Sequence, residues 1–162
     1  MAGNDFNRIA RAADAARERR VGLLLSGPAG SGKTFAMRVL YPNAIVVSAF
    51  DPVEVEWLDD RELVKTDRHI VIDDLGADAA KNQFGVWTSP ISLFIHRAEA
   101  ALGRGTLSCR IHVTTNLTSQ QVDEIYGDRV LSRLLALTIP LRLTGGDHRP
   151  RHSMKFDGEV AS

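Results

Sequence analysis

Hydrophobic and polar positions along this chain follow two regimes. There are short solid apolar runs, and longer stretches in which apolar residues recur at every third or fourth position. The first periodic stretch runs from Asp5 to Arg19. Phe6, Ile9, Ala10, Ala13 and Ala16 share one stripe there, with arginines and aspartates opposite, and this predicts an amphipathic helix. Val21 to Ser26 is a solid run and predicts a buried strand, ending in the glycine-rich stretch Gly27 to Gly32. Helical periodicity returns from Lys33 to Leu40 and stops at Tyr41-Pro42, since proline cannot donate the N–H that a continuing helix needs. Ala44–Ala49, His69–Asp73, Arg110–Thr115 and Leu137–Leu143 predict four more strands. Helices are expected over Phe84–Leu102, interrupted by Pro90, and over Ser119–Ala136. The segment from Asp51 to Val64 is irregular, with at most one helix around Trp57. After the turn Thr144-Gly145-Gly146 the chain has no periodicity, and its last dozen residues are expected to fray.

Strands that alternate with helices predict an α/β domain built on a five-stranded, mainly parallel sheet. The 162 residues suit one domain, and 44% hydrophobic with 25% charged residues excludes a disordered or fibrous chain. No apolar run approaches the roughly 18 residues of a membrane span. Asp and Arg interrupt Met1 to Arg20, so no signal peptide is expected there. The single cysteine, Cys109, cannot form an intramolecular disulfide, and the expected compartment is the cytoplasm. A net charge of zero excludes a globally basic nucleic-acid binder. Charge is nevertheless uneven. Asp51 to Asp78 holds ten acidic and three basic residues, whereas the first twenty residues hold five arginines and three acids.

Chemistry concentrates at strand ends. Gly27-Pro28-Ala29-Gly30-Ser31-Gly32-Lys33-Thr34 fits G-x-x-x-x-G-K-[ST], between an apolar strand and a helix start. In such a loop the glycines let backbone N–H groups close on phosphates, the lysine reaches the β/γ-phosphates, and the threonine hydroxyl ligates Mg²⁺. Thus Lys33 and Thr34 are candidate ATP and metal contacts. Ile70-Val71-Ile72-Asp73-Asp74 is an apolar strand ending in two carboxylates, the Walker B pattern. Asp73 is its candidate Mg²⁺ holder, directly or through water, and Asp74 its candidate for polarising the attacking water. Val113-Thr114-Thr115-Asn116 ends another strand, with the Asn116 amide a candidate for orienting water near a γ-phosphate. Arg129 and Arg133, four residues apart, share one helix face in Tyr126-Gly127-Asp128-Arg129-Val130-Leu131-Ser132-Arg133-Leu134. His69, His96 and His112 adjoin apolar runs and read as structural, Trp57 and Trp87 as packing residues. His148 and His152 sit in a basic tail that does not suggest a metal site, and Cys109 lacks a neighbouring base.

The succession GPAGSGKT, HIVIDDLG, VTTN, YGDRVLSRL and LTGGDHR resembles the DnaC/IstB group of AAA+ ATPases, the bacterial and phage helicase loaders and transposition ATPases. The resemblance runs from about Val21 to Arg151. It implies a P-loop three-layer sandwich with strand order 5-1-4-3-2 and no separate helical lid, binding ATP and Mg²⁺. It also implies ATP-dependent self-association. Arg133 would then be the arginine finger reaching a neighbouring subunit's ATP, Arg129 a supporting interface residue, and Arg149 the sensor arginine in cis. Residues 1–20 would form a short helix that grips a partner, 21–151 the ATPase core, and 152–162 a flexible tail. The implied partner is a replicative DNA helicase, with single-stranded DNA as a second candidate and no membrane. A transposition regulator that binds DNA, a small-molecule P-loop kinase and a non-catalytic ATP-bound scaffold remain alternatives. The sequence departs from the group in three ways. Its stretch ahead of the P-loop is short, its segment between the two Walker motifs is short, and Trp87-Thr88-Ser89-Pro90 interrupts the helix after Walker B.

Overall fold

The five apolar runs lie side by side in one sheet in the computed structural model, which describes residues 3–77 and 89–145. The strands are β1 (Gly22–Ser26), β2 (Ile45–Ser48), β3 (His69–Leu75), β4 (Arg110–Thr115) and β5 (Thr138–Arg142), in the order β2-β3-β4-β1-β5. Every pairing is parallel, and the order is the one the resemblance implies. Central β1 reads as solid Leu because helices cover both of its faces. Pro140 sits within β5, an edge strand, where its missing N–H leaves no gap in the sheet.

The connecting helices are α1 (Gly3–Arg19), α2 (Lys33–Leu40), α3 (Pro52–Glu56), α4 (Pro90–Gly103), α5 (Ser119–Tyr126) and α6 (Asp128–Leu137). Alternation along the strands divides the core into two layers. On β3, Ile70 and Ile72 join the cluster that holds Val55 of α3, Phe94 of α4, Val122 of α5 and Leu134 of α6. Val71, between them, joins Ile9, Ala13 and Ala16 of α1 and Met37 of α2. Helices α1 and α2 therefore cover one face of the sheet, and α3 to α6 the other. Among the described residues, no helix is long and apolar enough to cross a membrane.

Several elements differ from the expectation. Pro90 opens α4 instead of interrupting it: it takes the first helical turn, where no N–H is required, and the Ser89 hydroxyl caps by accepting the Ser92 N–H at 3.1 Å. Residues 84–88 of the expected helix, with Trp87, lie outside the described residues. The stretch from Ser119 to Ala136 is two helices, because Gly127 adopts φ 89° and ψ 160°, which only glycine enters readily. A capping box between Thr118 and Gln121 starts the first of them. Between β2 and β3 there is one turn and a half of α3, then two 3₁₀ turns, Trp57–Asp59 and Leu63–Lys65. Phe6 and Trp57, expected on packed faces, are instead half-exposed.

Histidines 69 and 112 have a structural account. His112 is buried on β4, its Nδ1 accepting the backbone N–H of Leu23 at 3.0 Å. Its Nε2 lies 2.8 Å from Nδ1 of His69, and Tyr41 stacks on both rings.

Candidate functional site

Parallel strands end on one side of the sheet, and three of the sequence motifs sit at those ends. After β1 the chain enters the loop of residues 27–32, with Gly27, Gly30 and Gly32 at φ 149°, 74° and 89°. A side chain at Gly30 or Gly32 would be strained in that conformation. The loop is tied down at its base, where Gly27 N–H donates to the carbonyl of Thr115 at 3.2 Å. At its far end Lys33 and Thr34 begin α2, and a helix N-terminus favours an anion. The ammonium of Lys33 is nearly buried. It donates to the carbonyls of Gly27 and Pro28 at 2.9 and 2.8 Å and to Ser31 Oγ at 3.3 Å. The lysine thus stands at the mouth of its own loop, restrained by the loop's backbone.

Strand β3 meets α2 through a hydroxyl. Thr34 Oγ1 donates to Oδ1 of Asp73 at 2.8 Å. The same oxygen accepts Thr114 Oγ1 of β4 at 2.7 Å. Asp74 comes next and departs from the strand. Its φ is 62°, and the pairing of β3 with β4 slips between Ile72 and Leu75. Such a bulge re-aims a side chain. Here it keeps Asp73 and Asp74, neighbours that would otherwise alternate across the sheet, on one cleft. The Asp74 N–H is held by Thr114 Oγ1 at 2.9 Å, so one hydroxyl braces both acids. One residue on, Thr115 Oγ1 donates to the carbonyl of Leu75 at 2.7 Å and accepts Leu117 N–H at 3.1 Å, which fixes the turn presenting Asn116.

Together these groups line a cleft of about 560 Å³. Ala29, Gly30, Gly32, Lys33 and Thr34 form one wall, Asp73, Asp74, Thr114 and Asn116 the other, and Phe35 closes an edge. The volume lies in the range of small-molecule and cofactor sites. Its donor set suits a Mg²⁺–nucleotide: N–H groups and one ammonium for phosphate oxygens, with a hydroxyl and a carboxylate as hard oxygen ligands for the cation. Thr114 was not among the sequence candidates. The signal for it lay in β4's alternation, where Ile111 and Val113 enter the core layer of α3 to α6 while His112 and Thr114 face the side of α2.

The remaining candidates lie elsewhere. Arg133 stands midway along α6 instead of near the end of a long helix, and its Nε is 3.7 Å from Glu99 Oε2 on α4. It does not line this chain's cleft. Arg129, in the first turn of α6, is exposed. Arg149 lies outside the described residues, as do 152–162. Cys109 is fully buried, and burial raises its thiol to about 11, which leaves it unreactive near neutrality.

No protein-family model matches the chain, and no curated protein matches it by sequence. Solved structures do. A replication initiator DnaA bound to AMPPCP and single-stranded DNA is similar over 86% of this chain, with 21% identity and a TM-score of 0.58. Domain III of the Thermotoga maritima replication initiation protein DnaA is similar over 88%, with 21% identity and a TM-score of 0.57. The chain has an AAA+ fold. A DnaC helicase loader is also similar, covering 76% of this chain and 78% of its own length at 20% identity and a TM-score of 0.49. The AAA+ fold described here spans 47% and 63% of the two DnaA chains, respectively. The cleft between loop 27–32 and the ends of β3 and β4 lies where the sheet order reverses, the position where α/β sheets bind ligands.

Proposed function

We propose that this protein binds and hydrolyses ATP with Mg²⁺ and acts as a helicase loader in DNA replication, assembling through ATP at subunit interfaces. One observation carries the ATPase reading: Ala29, Gly30, Gly32, Lys33 and Thr34 line one cleft with Asp73, Asp74 and Asn116, far apart in sequence, while Gly27, Pro28 and Ser31 of the same loop do not line it. The loader assignment rests on the motif order, in particular IDDLG and GDRVLSR.

Bound Mg²⁺ would supply charge neutralisation at the phosphates, with Thr34 and Asp73 to hold it. The protein's own groups do the rest. Lys33 and the loop N–H groups fix the phosphate chain. Asp74 accepts a hydrogen bond from the attacking water and takes its proton, and the Asn116 amide orients that water. Arg133 is 25% exposed on the opposite face of the sheet from α2, and it serves the cleft of a neighbouring copy. Asp73 and Asp74 favour water as the nucleophile over a substrate hydroxyl, which sets the kinase reading aside. A replicative helicase is the proposed client, α1 its proposed grip, and single-stranded DNA a further contact.

The test uses Asp74→Asn, which keeps the backbone because asparagine also tolerates φ near 60°. Wild type should bind ATP and turn it over, and the variant should bind without turnover. In lysate of the native host, with ATP and Mg²⁺, the variant should retain the replicative helicase. Retention of a transposase or of bulk DNA would replace the loader reading with the transposition one. Absence of ATP binding by wild type would overturn both.

A further inference from the structure

A second concavity, of about 460 Å³, lies between α4 and the 3₁₀ turn Leu63–Lys65. Helix α4 leads into β4 and that turn leads into β3. The concavity therefore sits where these two strands begin, whereas the nucleotide cleft sits where they end. Neither the ATPase reading nor the proposed grip on α1 makes use of it.

Its walls carry four cations, Arg61, Lys65, Arg97 and Arg104, against one carboxylate, Glu62, on a chain with no net charge. Two of the four are engaged. Lys65 Nζ donates to both oxygens of Glu62 at 3.0 and 3.1 Å. Arg97 donates to the carbonyls of Leu58 and Asp59 at 3.3 and 3.2 Å, with the Asp59 carboxylate 3.7 Å away. The other two, Arg61 and Arg104, are exposed, and neither guanidinium has an ion-pair or hydrogen-bond partner among the described residues. Arg104 caps the end of α4, where the helix carbonyls favour a cation without any acid. Arg61 stands on the facing wall.

Between them the floor is aliphatic, made by Val64, Ala100 and Ala101, of which Val64 and Ala101 are buried. It is also held in place. The carbonyl of Val64 accepts the N–H groups of Ser108 and Cys109 at 3.0 and 3.3 Å, and the Asp60 carboxylate accepts the Glu62 N–H at 2.9 Å. A trough formed in advance spares a ligand the cost of ordering it.

These features select the ligand. No Phe, Tyr or Trp lines the trough, so it offers bases no stacking platform. With Lys65 and Arg97 already on acids, it offers a phosphodiester chain no continuous track of cations. A bare anion would leave the aliphatic floor unused. A peptide that places an aliphatic side chain between carboxylates matches both parts, since the planar fork of an arginine pairs with a carboxylate.

We propose that the trough between α4 and Leu63–Lys65 docks an acidic peptide segment of a partner protein, with one aliphatic side chain on Val64, Ala100 and Ala101 and flanking carboxylates on Arg61 and Arg104. Exposed ion pairs alone contribute little, so the aliphatic contact and the charges are needed together. The docking requires no nucleotide and does not rest on the ATPase reading.

The test is a titration of the ¹⁵N-labelled full chain, without nucleotide, followed by amide correlation spectra. The probe is acetyl-Asp-Glu-Leu-Glu-Asp-amide. It should shift the amides of Val64, Lys65, Ala100 and Arg104 and approach saturation below about 1 mM, the weak end of specific binding. Replacing its leucine by serine, or its acids by asparagine and glutamine, should weaken binding about tenfold or more. Arg61→Gln and Arg104→Gln should each do the same, while Arg38→Gln, an exposed change on the other face of the sheet, should stay within about twofold. Circular dichroism checks folding, and Arg61→Gln, outside the helices, decides if Arg104→Gln does not fold. No saturation by about 1 mM, shifts confined to other amides, or unchanged affinity in Arg61→Gln would overturn the proposal. So would tighter binding at these amides by tripolyphosphate, which would make the trough a bare anion site, or by a deoxythymidine decamer, which would make it a nucleic-acid contact. Peptide binding lost with ATP turnover intact would refute this site alone.

Discussion

The hydroxyl of Thr114 donates to the Asp73 carboxylate at 2.7 Å while accepting the backbone N–H of Asp74 at 2.9 Å. One side chain on β4 therefore fixes the rotamer of one acid and the left-handed backbone of the next. A non-glycine residue at φ 62° stores on the order of 1 kcal/mol or more, and persists where its surroundings impose it. Here the imposing groups are Thr114 and the bulge between Ile72 and Leu75.

Replacing Thr114 with valine keeps the shape and removes the hydroxyl. Under the ATPase reading, the Mg²⁺ concentration for half-maximal turnover should rise by about 10- to 100-fold, the usual effect of losing a partner that orients a metal ligand. Nucleotide binding measured without Mg²⁺ should stay within about twofold, and Thr114→Ser should restore the wild-type Mg²⁺ dependence. A valine variant with an unaltered Mg²⁺ titration would show that Thr114 has no such role.

Lys33 is the next test, because its ammonium is nearly buried and held by the carbonyls of Gly27 and Pro28. Lys33→Ala removes both the phosphate contact and this restraint. A charge-assisted hydrogen bond contributes roughly 1.5–3 kcal/mol, so ATP should bind about 10- to 100-fold more weakly by calorimetry, with far-UV circular dichroism retained. Equal affinities would remove loop 27–34 from the binding site.

Arg133 and Glu99 are 3.7 Å apart and both partly exposed, an arrangement worth about 0–1 kcal/mol. Such a pair does not prevent the guanidinium from turning to a neighbouring molecule. Turnover of the assembled protein should fall by about 10³-fold or more in Arg133→Ala, the scale of an arginine finger, with ATP binding intact. Glu99→Gln should leave turnover within about threefold. If Arg133→Ala hydrolyses as fast as wild type at concentrations where both assemble, another residue supplies the cation.

How far the sequence could be read follows from which contacts are local. The bounds of α2 and of β4 were visible to the residue. One is bracketed by the glycine-rich loop and Pro42, the other alternates Ile111 and Val113 with polar residues. Pro90 was misread because proline inside a periodic stretch looks the same whether it kinks a helix or begins one, and the deciding mark was Ser89 before it. Gly127 was similarly hidden inside a continuous apolar stripe. Phe6 shows a different limit: spacing places a residue on a stripe but does not say how wide a stripe the core covers. The cleft was legible as a set of motifs, whereas the bracing of Asp73 and Asp74 by Thr114 was not. That contact joins residues about forty positions apart, and it requires knowing that β3 and β4 are neighbours. His69 and His112 meet for the same reason.

Those two histidines make stability depend on pH. Because Nδ1 of His112 accepts the Leu23 N–H, the neutral ring carries its proton on Nε2 and donates it to Nδ1 of His69. A further proton on either ring has no acceptor in this arrangement. Burial, then His69, then Arg110 push His112 down to about 3, and burial with Arg110 lowers His69 as well. The unfolded chain takes up these protons near pH 6.5, whereas the folded chain refuses His112's until about pH 3. Between those values the unfolded state binds more protons, so stability is fully present above about pH 6.5 and declines as the pH falls. Over the step from about pH 6.5 to about pH 5, His112 alone should cost roughly 2 kcal/mol. Urea unfolding should therefore show wild type losing more stability across that step than His112→Gln does, although the variant starts lower at neutral pH because it forfeits the stack on Tyr41. Parallel losses in the two proteins would mean that other groups carry the acid sensitivity and that the buried ring is not its source.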